Sequence, residues 1–136
     1  MSASDNLSMT LFRGVRRHPK DVYRYRLGEH WTDDLEVAKG FATVGTMKGE
    51  YDPSEGHGTV IEATVPKSSI IEPHTKEWEE RGGGDLDSGV GIFGPDSDEK
   101  EQTVRFGSRV QLNKLHHFHK GQKVGELPPE DETGIT

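Results

Sequence analysis

The chain contains no cysteine among its 136 residues. This absence excludes a disulfide framework, a thiolate zinc site and a cysteine nucleophile, and it leaves the redox compartment undetermined. Long apolar runs are missing too, since no stretch approaches the roughly 20 residues that span a bilayer. The first residues, MSASDNLSMT, also lack the apolar segment of a signal peptide. The sequence therefore predicts a soluble, cytoplasmic protein without membrane contact.

Apolar residues and positive charge are both scarce. Leu, Ile, Val and Phe make up about a fifth of the chain, close to the roughly 20% below which charged chains tend to stay disordered. The 17 Lys and Arg residues against 24 Asp and Glu residues give a net charge of -7, which repels polyanions unless basic residues are gathered on one face. Composition therefore predicts one domain with a thin core and disfavours generic nucleic-acid binding.

Two apolar segments predict strands. The run MTLFRGV, residues 9–15, is short and β-rich, and GTVIEATVP, residues 58–66, alternates as a half-buried strand does. In the second strand Ile61, Ala63 and Val65 share one side, and Pro66 is expected to end it.

A helix is predicted within WTDDLEVAKGFAT, residues 31–43. Thr32 or Asp33 is expected to cap its start, and Glu36 follows Asp33 at the spacing of a capping box. The apolar positions that recur at helical spacing predict its buried face, which consists of Leu35, Ala38, Phe41 and Ala42.

The C-terminal half contains both β-rich and polar segments. Thr103–Phe106 and Arg109–Leu115 predict a hairpin or a bent strand that turns at Gly107. The glycine-rich, acidic residues 74–100 predict a long loop that is either substrate-facing or disordered. The polar, acidic residues 121–136 predict a disordered tail, and residues 1–8 a flexible N-terminus.

The order of these segments resembles the ADP-ribosyltransferase family, in its arginine, serine/threonine, glutamate class. An apolar strand ends in Arg13-Gly14, an aromatic-Thr pair opens a helix, an alternating strand follows, and Glu-x-Glu precedes a β-rich run. The resemblance covers roughly residues 9–118. It implies an α+β fold over residues 9–120, a split β-sheet sandwich with few helices around an NAD cleft.

The resemblance assigns the first two motifs to the cofactor NAD. In the family, the arginine holds the phosphates or ribose of NAD, and the backbone of the next residue meets the nicotinamide amide. A guanidinium suits this role because its planar fork of donors matches phosphate oxygens. The second motif, commonly Ser-Thr-Ser, falls on His30-Trp31-Thr32 and retains one hydroxyl. The implied cofactor-binding residues are Arg13, Gly14, Trp31, Thr32 and Phe41.

The third motif falls on Glu99-Lys100-Glu101, where the resemblance makes Glu101 the catalytic carboxylate. Cleavage between nicotinamide and ribose builds positive charge on the sugar, and a carboxylate that accepts a hydrogen bond from the 2-hydroxyl stabilises that charge. Glu99 would orient or deprotonate the incoming nucleophile. The register is open, because a slip within EKEQTV would make Glu99 the essential residue or leave neither essential.

These residues together predict a compact mono-ADP-ribosyltransferase, which moves ADP-ribose from its co-substrate NAD to a protein side chain such as arginine. Two alternatives stay open: an inactive module of the same fold that binds a nucleotide or a protein partner, and an NAD glycohydrolase. Such a compact chain would suit a bacteriophage or bacterial effector that acts inside a host cell.

Two further clusters need an interpretation. In a strand, His117 and His119 share a face while His116 points away, and a catalytic zinc needs three convergent ligands, so no metal is expected. A basic cluster either balances acidic residues elsewhere, borders the dinucleotide site or contacts an anionic acceptor such as RNA. Its members are Arg13, Arg16, Arg17, His18, Lys20, Arg24 and Arg26.

Overall fold

A computed structural model of the chain describes residues 7–24, 26–43, 56–72, 75–80 and 101–136. These residues form seven strands, two α-helices and two 3-10 turns. In chain order they are β1 (Ser8–Val15), a 3-10 turn (Pro19–Arg24), β2 (His30–Thr32), α1 (Leu35–Thr43), β3 (His57–Pro66), a 3-10 turn (Lys67–Ser69), α2 (Lys76–Glu80), β4 (Glu101–Thr103), β5 (Arg109–His119), β6 (Gln122–Leu127) and β7 (Thr133–Ile135).

The described strands form one antiparallel sheet in the order β4-β2-β1-β3-β5-β6, and β7 pairs with the beginning of β5. The predicted α+β class is therefore confirmed. Two separate packed sheets, as in a split sandwich, are not seen among the described strands. The predicted strands at residues 9–15 and 58–66 are confirmed as β1 and β3, which pair along their length at the centre of the sheet.

One face of β1 and β3 carries the main core. Ile61, Ala63 and Val65 are buried on this face, as their alternation in the sequence predicted. β5 adds to the same core on both sides of a bulge. The buried members of this cluster are Leu11, Val15, Val22, Leu27, Trp31, Ile61, Ala63, Val65, Val104, Val110, Leu112 and Leu115.

The opposite face of β1 and β3 is covered by α1. Ala38 and Ala42 are buried there, but Leu35 and Phe41 are exposed, so the predicted apolar face is only half correct. A Cβ at Gly14 would overlap the carbonyl oxygen of Ala38. At this point the helix backbone lies so close to the sheet that only a glycine fits beneath it.

The start of α1 differs from the predicted capping box. Asp34 Oδ1 accepts a hydrogen bond from the backbone N–H of Glu36 at 2.9 Å, so Asp34 caps the helix. Thr32 Oγ1 in turn accepts from the N–H of Asp34 at 3.1 Å. Neither Thr32 nor Asp33 is the cap, because the chain leaves β2 through an extra turn residue before the helix begins.

The prediction of a hairpin or a bent strand around Gly107 is wrong. β4 pairs with β2, and β5 pairs with β3, so three strands of the sheet separate them. Two contacts account for the separation: Val104 bridges to Ile70, and the N–H of Arg105 donates to the carbonyl oxygen of Ser69. These bonds hold the chain at the β4 edge before it crosses to β5.

The predicted disordered tail at residues 121–136 is also wrong, because this segment forms β6 and β7. Composition missed it since the segment buries few side chains and pairs mainly through its backbone with β5. Thr136 is the exception: it is buried, and its hydroxyl donates to the carbonyl oxygen of Arg105 at 2.8 Å.

Two further expectations fall partly outside the described residues. Within the predicted loop at residues 74–100, the structure describes only residues 75–80, which include α2. Of the predicted flexible N-terminus, residues 1–6 lie outside the described part, and β1 already begins at Ser8. No helix in the described part of the chain is long and apolar enough to cross a membrane.

Candidate functional site

The three segments that resemble family motifs lie on neighbouring strands. Thr32 of β2 is the register partner of Phe12 on one side and of Glu101 on the other. Arg13 follows Phe12 in β1, so the arginine, threonine and glutamate segments are neighbours across β1, β2 and β4, but the side chain of Arg13 projects to the opposite face of the sheet from that of Thr32. The structure describes only the backbone of Glu101, and Glu99 lies outside the described residues.

Arg13 is held at the turn that leads into β2. Its Nη1 donates to the carbonyl oxygen of His30 at 2.6 Å. The guanidinium also packs over Gly28, where an added Cβ would lie only 2.6 Å from Cζ of Arg13. A guanidinium carries its N–H donors in a planar fork. This contact fixes the orientation of the fork.

Three other motif residues make contacts that belong to the fold. Trp31 is only 2% exposed in the main core, and its Nε1 donates to the carbonyl oxygen of Gly28 at 2.9 Å. Its ring is therefore not available as a stacking surface for nicotinamide. Thr32 is buried and accepts from Asp34, as described above, and Gly14 lies beneath α1.

Phe41 does not join these residues. It was expected in the helix core and near NAD, but its side chain on α1 is 48% exposed. The four residues that do lie together on β1 and β2 are called the motif residues below, and they are Arg13, Gly14, Trp31 and Thr32.

Two shallow depressions lie elsewhere on the surface, around β5 and β7. Their volumes are about 380 and 630 Å³. Neither depression is lined by a motif residue or by a glutamate of the third motif. The lining residues are Ser8, Thr64, Pro66, Arg109, Val110, Gln111 and Thr133 for the first, and Gln111, Leu112, Asn113, Glu132 and Thr133 for the second.

A second group of chemically active side chains comes from three distant segments. His18 follows β1, His57 begins β3, and His117 lies in β5. One ligand nitrogen of each lies within 4.8 Å of the other two. His57 Nδ1 is 2.9 Å from His117 Nε2, and the ring of His119 stacks on that of His57 with centroids 4.2 Å apart. We call His18, His57 and His117 the histidine cluster.

The register of β3 and β5 explains this convergence. His57 pairs with His119, and Thr59 pairs with His117. Directly paired residues and residues two apart in a strand project to the same face, so His57, His117 and His119 lie on one face of the sheet. Thr59 Oγ1 donates to the carbonyl oxygen of Arg17 at 2.8 Å, which ties the segment that carries His18 to β3.

His116 lies on the opposite face, as its position in the strand predicted. It is buried, and its Nε2 lies 3.1 Å from Glu62 Oε1. His117, by contrast, is half-buried among other imidazoles. Burial lowers the pKa of His117, and the positive charges that His18, His57 and His119 can carry lower it further.

Sequence reasoning considered His116, His117 and His119 but missed the cluster. His18 was counted with the basic residues, and His57 was not singled out at all. No fixed spacing in the sequence relates His18, His57 and His117, because they come from separate segments that meet only through the register between β3 and β5 and the turn that carries His18. The only usable signal was that His117 and His119 share one face, and this pointed to a partner on the neighbouring strand.

No family model, no curated protein and no solved structure matches this chain. The motif residues therefore rest on the sequence resemblance and on the adjacency of their strands, and the histidine cluster rests on its geometry.

Proposed function

We propose that the protein is a mono-ADP-ribosyltransferase, which moves ADP-ribose from NAD to a protein side chain and releases nicotinamide. The observation that carries this proposal is the strand order β4-β2-β1. Three segments that are far apart in the sequence and resemble the three family motifs lie side by side in this order. Register partners Phe12, Thr32 and Glu101 form one row across the three strands.

In this proposal the motif residues divide between binding and support. Arg13 binds the NAD phosphates or ribose through its oriented guanidinium, because a planar fork of donors matches phosphate oxygens. Trp31 and Thr32 support the strand rather than contact nicotinamide, since both are buried. Glu101 accepts a hydrogen bond from the ribose hydroxyl and stabilises the positive charge that develops on the sugar.

A bulge in β5 supports the proposed family fold. One extra residue, Asn113, lies between the partners of Glu62 and Ala63. Bulges bend a strand and increase its twist. A sheet bent along β5 would set its two parts at an angle, which is the arrangement that a split sheet around an NAD cleft requires.

The proposal is tested by incubating the full chain with NAD labelled in its adenylate and with a protein extract. We expect transferred label and released nicotinamide. Glu101→Gln should lower both at least about 100-fold, because the sugar cation loses its stabilising charge whichever nucleophile attacks. Glu79→Gln, an exposed carboxylate on α2, is the matched control and should leave both unchanged.

Glu99→Gln and Arg13→Lys separate the remaining roles. Glu99→Gln should lower transfer while NAD hydrolysis persists, because water still reaches the sugar cation. Arg13→Lys should weaken NAD binding although the charge is kept, since an ammonium cannot form the bidentate contact. Full activity of Glu101→Gln would show that the third motif is wrongly assigned.

The same measurements distinguish the alternatives. Nicotinamide release without transferred label would identify a glycohydrolase. A rise in melting temperature with NAD but without turnover would identify a binding module of the same fold, because a ligand that binds only the folded state stabilises it. If NAD is not turned over and does not raise the melting temperature, all three NAD-dependent functions are overturned.

A further inference from the structure

The histidine cluster is independent of the proposed NAD chemistry and has a chemistry of its own. We infer that His18, His57 and His117 bind one divalent transition-metal ion of the zinc class through three imidazole nitrogens. The cluster lies on the same face of the sheet as Arg13. Val15, two residues after Arg13 in β1, pairs with Thr59 of β3, and Thr59 pairs with His117 of β5. All three imidazoles are partly exposed, so an ion can reach them from solvent.

The distances between the nitrogens suit a metal. Zinc binds imidazole nitrogen at about 2.0–2.1 Å, which places two ligands of a tetrahedral site about 3.3 Å apart. His57 Nδ1 and His117 Nε2 are 2.9 Å apart. Two such nitrogens cannot both point lone pairs at each other, so one carries a proton that the other accepts. A metal ion that replaces this proton requires the nitrogens to separate by a few tenths of an ångström and the rings to turn towards the ion.

His18 completes the group with a small rearrangement. Its ring centroid lies 4.6 Å from that of His57 and 4.8 Å from that of His117. The backbone N–H of Lys20 donates to His18 Nδ1 at 3.2 Å, at the long end of the hydrogen-bond range. The partly exposed ring is therefore held weakly on that side and can turn a nitrogen towards the other two.

The residue types select the metal. Imidazole ligands suit zinc, copper, nickel and iron, whereas magnesium and calcium require oxygen ligands. Among the described residues the group contains three histidines and no carboxylate. Three protein ligands also leave one tetrahedral position for water, the arrangement of open zinc sites. The inference therefore replaces the expectation from sequence that no metal binds.

The strands hold two of the ligands in place before any ion arrives. His57 and His117 lie on adjacent strands whose pairing is closed at its end by the bond from Lys120 N–H to the carbonyl oxygen of Gly56, at 2.8 Å. The hydrogen bond from Thr59 Oγ1 to the carbonyl oxygen of Arg17 holds the segment that carries His18 against β3. Preorganisation of this kind reduces the ordering cost of binding.

The test uses the full chain without an affinity tag, freed of metal by dialysis against a chelator and titrated calorimetrically with Zn²⁺ at neutral pH. We expect one ion per chain. His18→Gln, His57→Gln and His117→Gln should each weaken binding at least about tenfold, because loss of a ligand exceeds the usual effect of losing a residue that only orients one. The control His30→Gln removes an exposed histidine outside the cluster and should bind as the parent does.

Co²⁺ gives a second measurement, since a tetrahedral nitrogen site produces intense visible absorption bands that octahedral surface binding lacks. These bands should appear in the parent and in His30→Gln and disappear in the three cluster variants. Unchanged Zn²⁺ affinity in any cluster variant would overturn the assignment of three ligands. Equal weakening in His30→Gln would show adventitious binding by surface histidines and would overturn the site.

A measurement on the parent protein covers the case in which a variant does not fold. The imidazole resonances of the seven histidines can be followed by NMR as Zn²⁺ is added. Resonances of the three cluster histidines should shift together up to one equivalent and return when a chelator is added. A shift confined to other histidines, or no shift, would overturn the inference.

Discussion

The motif residues and the histidine cluster lie on the same sheet but are held in different ways. The motif residues are bonded to the backbone of their own fold: Arg13 to His30, Trp31 to Gly28, and Thr32 to Asp34. In the histidine cluster the closest contact joins two members, His57 and His117. A sequence pattern can thus be required partly by packing, whereas the histidine cluster is defined by three ligand nitrogens that lie within 4.8 Å of one another.

The largest effect is expected at Gly14, which tests whether packing explains its place in the motif. Gly14→Ala should lower the free energy of unfolding by about 3 kcal/mol, because the added Cβ overlaps the backbone of α1 and the helix must move. The control is Gly40→Ala within α1, where nothing lies within 4 Å of the added Cβ. This change should raise stability by up to about 1 kcal/mol, owing to the helix propensity of alanine.

Urea denaturation measures both variants. The opposite outcome is a Gly14→Ala variant that is as stable as the parent and binds NAD less tightly. Gly14 would then be required for NAD binding rather than for packing against α1, and it would not differ from the histidine cluster in this respect.

A smaller effect is expected at the last described residue, which tests whether structural contacts extend through residues 121–136. Thr136→Val should cost about 1.5 kcal/mol, since the Thr136 hydroxyl both donates to Arg105 and accepts from the N–H of Ser108 at 3.0 Å. The matched variant Thr133→Val changes an exposed residue of β7 and should be nearly neutral. A melting temperature of Thr136→Val equal to that of the parent would mean that the Thr136 hydroxyl contributes little to the fold.

Local patterns predicted the elements that local forces determine. The alternation in β3 and the apolar spacing of α1 predicted both elements, although of the four apolar positions predicted to be buried in α1 only Ala38 and Ala42 are buried. The pairing of β4 with β2 depends on contacts of Val104 and Arg105 with residues distant in sequence, which no local pattern reports. The fold of residues 121–136 was missed for the same reason, since backbone pairing leaves little trace in composition.

The sites differ in the same way. The motif residues were found because their order along the chain resembles a family, although the resemblance assigned the buried Trp31 to NAD binding. The histidine cluster depends on the register between His57 and His119. A shift of one residue would move these side chains to opposite faces, so the site exists only once the strands have paired.

An effect of about 1 kcal/mol is expected from the cap of α1, the helix that covers Gly14. Asp34→Ala should cost this amount, because the N–H of Glu36 loses its acceptor. Asp33→Ala tests the cap that the sequence predicted and should change the free energy of unfolding by less than about 0.5 kcal/mol. Thermal unfolding followed by circular dichroism separates the two, and a larger loss for Asp33→Ala would restore the predicted capping box.

The smallest effect is expected within the histidine cluster and is best seen against the adjacent residue of β5. His116→Ala removes a buried ring and leaves Glu62 without its 3.1 Å contact, so it should cost at least about 1 kcal/mol. His117→Ala, measured with a chelator present, should cost about 0.5 kcal/mol or less, because this ring is half-buried and its pKa is lowered by burial and by the neighbouring histidines. Denaturant unfolding gives the free energy of unfolding of both variants. If His117→Ala lowers it as much as His116→Ala does without metal, the cluster stabilises the fold, as the motif residues do.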